Sequence, residues 1–299
     1  MQKFIVLENE ENMRIDNYLS LKTDISRSKI QNLIKNNSVF VNGKAEKSSY
    51  KIRVNDEITF EYIEEENHLE PEKMNLDIVY EDNDILVINK PNGLVVHPAP
   101  GNYKHTLANG LSYYSENLSN VNGEFRPGIV HRIDAYTTGL LVVAKNNKAH
   151  EFLADLLARK EIERTYIALV WGVIKEDSGT IDAPIGRDIK DRKKMAVVAN
   201  GKNAITHFKV LDRFKKATLI EVSLETGRTH QIRVHMNYIN HPVVNDPVYG
   251  NYPLIDETGQ MLHAKELKLI HPSTKEKMIF KSEPPVEFNK ILNKFKMEE

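Results

Sequence analysis

The 299-residue sequence contains no cysteine. This absence excludes disulfide bonds, thiolate metal sites and a cysteine nucleophile, and it fits a reducing compartment. Long apolar segments are also absent, because no stretch approaches the roughly 20 residues that a membrane helix needs. The apolar start of the chain ends at Leu7 and is too short for a signal peptide. We therefore expect a cytoplasmic protein that has no membrane partner.

The sequence carries little net charge, since 41 basic side chains stand against 42 acidic ones. Any affinity for nucleic acid must therefore come from local patches rather than from the field of the whole protein. A chain of this length can bury a sizeable core and hold one larger and one smaller domain. We expect a small domain over residues 1–62 with its core at 14–60, a linker over 63–75 and a large domain over 76–299.

Residues 14–60 have the pattern of a small α+β domain. The spacing of apolar residues predicts two short helices, over 14–19 and 26–35, followed by strands over 39–44 and 56–60. Nine basic residues stand against four acidic ones between residues 14 and 56, which indicates a surface that faces phosphates. The alternative is a solvated helix face. The basic residues are Arg14, Lys22, Arg27, Lys29, Lys35, Lys44, Lys47, Lys51 and Arg53.

The composition changes after residue 60. Residues 61–72 hold six glutamates and few apolar side chains, a pattern typical of a linker whose charge repels RNA. From about Leu76 onward the pattern favours an α+β domain with a mixed, largely antiparallel sheet. The predicted strands are at 84–89, 140–144, 165–170, 204–211, 218–224 and 261–270, and the predicted helices are at 148–159 and 286–297.

A candidate catalytic carboxylate is Asp134. It lies on a short turn before an uninterrupted apolar run, which predicts a buried strand and therefore a rigid support. Gly139 permits a backbone conformation that the neighbouring threonines resist, and Arg132 places a permanent cation two residues away. By itself, an Asp beside an Arg is equally typical of a surface ion pair.

Three other segments place polar side chains next to strands or turns. A strand that ends in a Pro-Gly turn presents Lys90 and His97 at a loop. Tyr166 lies within a predicted strand. Arg228 and Arg233 follow a glycine turn at the start of a predicted helix. These segments supply a lysine, a histidine, a tyrosine and two arginines as candidates for binding or catalysis.

The remaining histidines could suggest a metal site. His230 and His235 are five residues apart, whereas two ligands on one helix face are four apart. Since the chain also lacks cysteine ligands, the sequence favours a site without metal.

These motifs together resemble the RluA-type pseudouridine synthases, in order and spacing, over residues 76–270. Residues 14–56 resemble the small RNA-binding domain that is shared by a ribosomal small-subunit protein and tyrosyl-tRNA synthetases. The combination is most similar to the RluD type, which acts on large-subunit ribosomal RNA. The motifs are HRID at 131–134 with TTGL at 137–140, RTYIALVWG at 164–172, GRTHQIRVHM at 227–236, NDPVYG at 245–250 and LHA at 262–264.

The resemblance implies an isomerase that detaches uracil from its ribose, turns it and rejoins it through carbon 5, with neither cofactor nor metal. It implies that Asp134 acts as the nucleophile or as the base that starts glycal formation, with Arg233 as its basic partner. Tyr166 would stack on the uracil near carbon 5, although a Tyr in a strand is also typical of a core. Arg132 would enter the space that the flipped base leaves.

The expected RNA contacts follow from the resemblance and from the basic patches. The expected partner is large-subunit ribosomal RNA or a ribosomal precursor particle, bound by a monomer. Two alternatives stay open: a non-catalytic RNA-binding factor of ribosome assembly, and a related synthase that acts on another ribosomal RNA or a tRNA site. The RNA-contacting residues are expected to be Arg132, Arg14, Arg27, Lys29, Lys35, Lys90, His97 and Arg228.

One position departs from the pattern of the family. Many members carry charged residues, commonly including an acid, between the Asp and the Thr, whereas this chain has Ala135 and Tyr136. We expect these two side chains to face outward or toward RNA. The departure therefore bears on the choice of target rather than on catalysis.

Overall fold

The structure is a computed structural model. It describes residues 2–23, 25–60, 69–99, 102–115, 118–123 and 125–297. The chain divides into two compact units, residues 1–67 and 68–299. Residues 63–68 of the predicted linker lie outside the described residues. Residues 69–75 have no regular secondary structure, but they are bonded to the larger unit. There the Glu72 amide donates to Asn109 O at 3.0 Å, and Asn109 Nδ2 donates to Glu70 O at 2.8 Å.

The smaller unit has a four-stranded antiparallel sheet and two helices. Asn42 and Gly43 both have positive φ, as a two-residue Asn-Gly hairpin requires, and this turn divides the predicted strand at 39–44 into two. Apolar side chains of the helices and the sheet form the core, among them Leu19, Ile30 and Ile58. In sheet order the strands are β1 (Gln2–Ile5), β4 (Glu57–Phe60), β2 (Val39–Val41) and β3 (Lys44–Ala45); a 3-10 helix spans Glu8–Glu10, and the helices are α1 (Ile15–Lys22) and α2 (Arg27–Lys35).

The larger unit is built on a nine-stranded sheet. Its pairs are antiparallel except for one parallel pair, Thr138–Ala144 with Leu262–Ile270, so the predicted mixed, largely antiparallel sheet is confirmed. In sheet order the strands are β5 (Ile78–Glu81), β6 (Ile85–Lys90), β7 (Thr138–Ala144), β14 (Leu262–Ile270), β8 (Glu163–Trp171), β13 (Ala217–Leu224), β12 (Ile205–Arg213) and β9 (Ser178–Asp182), and β15 (Lys277–Lys281) pairs with β14. A separate hairpin joins β10 (Ile185–Arg187) to β11 (Met195–Val197).

Helices pack on the sheet of the larger unit and cover its central strands. The helices are α3 (Leu107–Tyr114), α4 (Asn147–Ala158), α5 (Gln231–Tyr238) and α6 (Val286–Met297). All seven residues of β7 are buried, because alternate side chains enter two different cores. Leu141 and Val143 pack in the core that includes α6, while Leu140 and Val142 pack in the core that includes α4. This two-sided burial explains the uninterrupted apolar run in the sequence.

The helical periods predicted at 148–159 and 286–297 correspond to α4 and α6. Each helix buries the apolar face that the spacing indicates, with Leu153 and Leu156 of α4 and Ile291 and Phe295 of α6 inside. Among the residues that the structure describes, no helix is both long enough and apolar enough to cross a membrane.

Candidate active site

Asp134 lies on the turn that leads into β7, the most deeply buried strand of the sheet. The turn is closed by the Thr137 amide, which donates to Asp134 O at 3.0 Å. Gly139 has a φ of +103°, and a Cβ at this position would lie 2.2 Å from the carbonyl oxygen of Ala264. Because β7 runs parallel to β14 at this point, with Ala264 opposite Gly139, only glycine allows the two backbones to approach so closely. The carboxylate therefore stands on a rigid support.

Arg233 of α5 brings its guanidinium to Asp134. Its Nη1 donates to Asp134 Oδ2 at 3.0 Å, with 4% of the Arg233 side chain and 17% of the Asp134 side chain exposed. Nε and Nη2 donate to the two carboxylate oxygens of Asp246 at 2.7 and 2.8 Å. Burial alone would lower the pKa of Arg233, but the carboxylates of Asp246 and Asp134 outweigh it and raise the pKa. The guanidinium is thus a permanent cation beside Asp134, the position that the resemblance implies.

Asp246 is a site residue that the sequence reasoning did not single out, although its NDPVYG motif was noted. Its side chain is fully buried, and Oδ1 also accepts from the backbone amides of Val248 and Tyr249, at 2.8 and 3.1 Å. These bonds fix Asp246, which in turn fixes two of the three guanidinium nitrogens of Arg233. The third nitrogen is thereby aimed at Asp134.

Tyr166 of β8 belongs to both the core and the site. Its side chain is 5% exposed and packs in the main hydrophobic core, yet it also lines the open pocket that contains Asp134 and Arg233. Burial raises the pKa of the Tyr166 phenol, so the hydroxyl keeps its proton at neutral pH. The two interpretations of Tyr166, as a core residue and as a site residue, are therefore compatible.

Arg164 lines the same pocket and was also missed. Its Nε is buried and has no hydrogen-bond partner in the described part of the chain. The guanidinium lies against Gly227, where a Cβ would be 2.9 Å from Arg164 Nη1. The glycine of the GRTH motif therefore makes room for a further cation in the pocket that holds Asp134.

Lys90 is buried, so the prediction that its side chain is presented at a loop is wrong. The side chain is fully buried, and Nζ donates to the carbonyl oxygens of Pro91 at 2.9 Å, Leu94 at 2.9 Å and Ala135 at 2.7 Å. Burial lowers the pKa of Lys90 to about 7, although the Asp134 carboxylate opposes the shift. Lys90 therefore joins the 91–94 turn to the residue that follows Asp134.

His97 is also buried rather than presented at an exposed loop. Burial, together with the charges of Arg132 and Arg126, lowers its pKa to about 4. The neutral ring accepts a hydrogen bond from Arg132 Nη1 at 3.0 Å. His97 thus supports the exposed side chain of Arg132, which lines the pocket beside Asp134.

The other predicted RNA-binding residues lie on exposed surface. Arg228 is exposed, with Nε donating to Asn203 O at 2.9 Å. In the smaller unit, Arg14 and Arg27 donate to the buried carboxylate of Asp16, at 3.0 Å and 3.2–3.3 Å, and each leaves nearly half of its side chain exposed. Lys29 and Lys35 are exposed on α2. These positions are accessible to a polyanion.

His235 of α5 is hydrogen-bonded within the fold of the larger unit. Its ring is buried, with Nδ1 2.8 Å from Thr206 Oγ1 and Nε2 2.9 Å from Ala183 O. Within the described ranges of the chain, no group of three or more His, Asp or Glu side chains could hold a metal ion.

The fold and the site define a class of RNA-modifying isomerases, and comparison with known proteins identifies it. A family model for RNA pseudouridylate synthase matches residues 84–238, and an S4 domain model matches residues 13–58. The chain belongs to the RNA pseudouridylate synthase family.

The relatives extend over nearly the whole chain. An uncharacterized RNA pseudouridine synthase of Bacillus subtilis, YlyB, is 52% identical over 287 residues, which is 95% of each chain. The ribosomal large subunit pseudouridine synthase D of Escherichia coli K12 is 44% identical over 283 residues, covering 89% of this chain and 86% of that protein. The resemblance to the RluD type is therefore confirmed.

A solved structure resembles this chain in fold. Human RNA pseudouridylate synthase domain containing 1 is 28% identical, with a TM-score of 0.59, over 71% of this chain and 84% of that one.

Proposed function

We propose that this protein converts uridine to pseudouridine in large-subunit ribosomal RNA and that Asp134 is essential for the reaction. The observation that carries the proposal is the pair formed by Asp134 Oδ2 and Arg233 Nη1 at 3.0 Å in the pocket that Tyr166 also lines. The names of the D-type relatives supply the substrate class. The exposed cations of the smaller unit and its match to the S4 domain support RNA binding by that unit.

The reaction requires an ionised carboxylate. The Arg233 guanidinium places a permanent positive charge at hydrogen-bond distance from Asp134 Oδ2. Asp134 then either attacks ribose carbon 1′, which displaces the uracil, or removes the proton from carbon 2′, which gives a glycal. Both routes break the bond between nitrogen 1 and carbon 1′ and then form a bond from carbon 5 to carbon 1′. In the first route that bond displaces the carboxylate from carbon 1′, and in the second the carboxyl group returns its proton to carbon 2′. In both, nitrogen 1 gains one proton and carbon 5 loses one. No atom is gained or lost overall.

Tyr166 and Arg132 act on the base. The target uridine must first leave its stack, which costs about a few kcal/mol. The exposed guanidinium of Arg132, which lines the same pocket as Asp134, is the candidate group to fill the vacated space. The buried ring of Tyr166 offers a stacking surface to the uracil in the pocket. Once the new bond has formed, carbon 5 must lose its proton, and the Tyr166 hydroxyl is the candidate group to assist that step.

The experiment compares ribosomal RNA from cells with and without the gene, with pseudouridine mapped by carbodiimide treatment and primer extension. Wild-type protein is expected to restore every site that is lost in its absence, and Asp134→Asn none. Asp155→Asn is the matched control, because Asp155 lies in an exposed surface pair with Arg159. A full set of pseudouridines without the gene, together with slow subunit assembly, would contradict the proposal and favour a non-catalytic assembly factor.

A further inference from the structure

His230 has an unusual place in the pocket. It precedes α5 with φ 56° and ψ 22°, a left-handed conformation that is uncommon for residues other than glycine and that clusters at functional sites. Its side chain lines the pocket together with Asp134, Tyr166 and Arg233. The mechanism above does not use it.

Hydrogen bonds determine which nitrogen of His230 carries the proton. The Met195 amide donates to the Tyr249 hydroxyl at 3.0 Å, and this hydroxyl lies 2.8 Å from His230 Nδ1. In the described part of the chain, His230 Nδ1 is the acceptor within hydrogen-bond distance of this hydroxyl, so we assign the hydroxyl proton to the bond with Nδ1. Burial lowers the pKa of His230, so the ring is neutral at neutral pH. The ring proton is therefore on Nε2.

Nε2 faces Asp134 without bonding to it. Its distance to Asp134 Oδ1 is 3.9 Å, which is too long for a hydrogen bond, while the other oxygen of Asp134 accepts from Arg233. The pocket thus holds a donor and an acceptor side by side, each ready to bond a third group. A carbonyl oxygen can only accept and would be repelled by Oδ1, whereas a hydroxyl can accept from Nε2 and donate to Oδ1.

We propose that His230 and Asp134 together bind the ribose 2′-hydroxyl of the target nucleotide. This inference rests on the proposed function, because it requires the ribose of the target uridine to lie at Asp134. The 2′-hydroxyl is the uridine hydroxyl next to the carbon from which uracil departs, so binding it places carbons 1′ and 2′ beside the carboxylate. It also gives the site a means to accept RNA and reject DNA.

The test is a double-mutant cycle on two RNAs. Each RNA is a fragment around a position whose pseudouridine is lost in cells without the gene, with either uridine or a single 2′-deoxyuridine at that position. His230→Asn removes the Nε2–H but keeps a residue that tolerates the left-handed conformation. His105→Asn is the matched control, because His105 also has positive φ, 57°, and its side chain is 81% exposed. Circular dichroism and thermal unfolding check that each variant folds.

Single-turnover rates separate binding of the hydroxyl from a purely structural role. We expect His230→Asn to lower the single-turnover rate at least about tenfold on the all-ribose RNA and to change it little on the deoxy RNA. This difference corresponds to a coupling free energy of about 1.4 kcal/mol between His230 and the 2′-hydroxyl. His105→Asn should match wild type on both RNAs. An equal loss on both RNAs, or no loss on either, would overturn the inference.

Two additions keep the outcome decisive. If the deoxy RNA is not turned over, the cycle is measured by binding instead. The dissociation constants of both RNAs are then compared between Tyr166→Phe and the double variant that also carries His230→Asn. These constants must show the same coupling, or the inference fails. Tyr249→Phe, which removes the proton donor to Nδ1, should also reduce the preference for the ribose RNA, and an unchanged preference would count against the inference. If wild-type protein converts neither RNA, the proposed function fails as well. If wild-type protein is active but His230→Asn loses the same factor on both RNAs, only the inference about His230 fails.

Discussion

Replacement of Asp246 by alanine tests whether the buried carboxylate holds Arg233 in place. The substitution removes both bonds to Arg233, at 2.7 and 2.8 Å, and leaves Asp134 as the one carboxylate that pairs with this buried cation among the described residues. Breaking a buried ion pair in this way costs about 3–5 kcal/mol. With a urea m-value of about 3 kcal/mol/M for a unit of this size, the unfolding midpoint should fall by roughly 1–1.7 M.

Trp171 provides the assay, because it is the single tryptophan of the chain and lies in β8 of the larger unit, stacked on Tyr252 with ring centres 4.6 Å apart. Its fluorescence therefore reports unfolding of that unit. The single-turnover rate of Asp246→Ala should also fall by about 10²-fold, since a misplaced positioning group costs about that much. Asp155→Ala, which breaks an exposed pair with Arg159, should cost less than about 1 kcal/mol. If Asp246→Ala leaves both the midpoint and the rate unchanged, the argument that Asp246 positions Arg233 is refuted.

Two other predictions concern the support of the site. Gly139→Ala should destabilise the larger unit by about 3 kcal/mol, because the new Cβ would lie 2.2 Å from Ala264 O. Gly93 also has positive φ, but a Cβ added there would meet nothing within 4 Å, so Gly93→Ala should lower the free energy of unfolding by only about 1 kcal/mol. If urea titrations give equal losses of stability for the two variants, the close approach of β7 and β14 is contradicted. Burial lowers the pKa of Lys90 from its usual 10.5 to about 7, so between these values the unfolded chain binds more protons and stability rises with pH. Lys90→Met should abolish that rise, which urea titrations at pH 7, 8, 9 and 10 measure. If the free energy of unfolding of Lys90→Met rises with pH as steeply as that of wild type, Lys90 is not the cause of the rise.

The buried strand beneath Asp134 could be predicted because it is a local pattern. Seven consecutive small or apolar residues fill β7, and such a run is typical of a strand that is covered on both faces. Its parallel pairing with β14 could not be predicted in the same way, since the two strands are separated by more than a hundred residues. The closeness of Gly139 to Ala264 follows only from that pairing.

The contact between Asp134 and Arg233 joins residues 99 positions apart, and no spacing rule reveals it. The family resemblance supplied it, because the order of motifs carries the long-range information that periodicity lacks. The same resemblance did not supply Asp246, which lies in a noted motif but acts through another side chain.

Lys90 was misjudged for a physical reason. Lysine is among the residues that are almost never fully buried unless they are paired, so a lysine at the end of a strand is predicted to be exposed. Here three carbonyl oxygens converge on Nζ, two from the following turn and one from the turn of Asp134. Only the folded chain brings these acceptors together.

The most direct test of the central claim is tritium release from large-subunit ribosomal RNA labelled at uracil carbon 5. Joining carbon 5 to the ribose displaces its hydrogen, so each conversion releases one tritium to water. Purified wild-type protein should release tritium in proportion to the pseudouridine formed, and Asp134→Asn should release none while still binding the RNA. Release by Asp134→Asn at the wild-type rate would contradict the assignment of the reaction to this carboxylate.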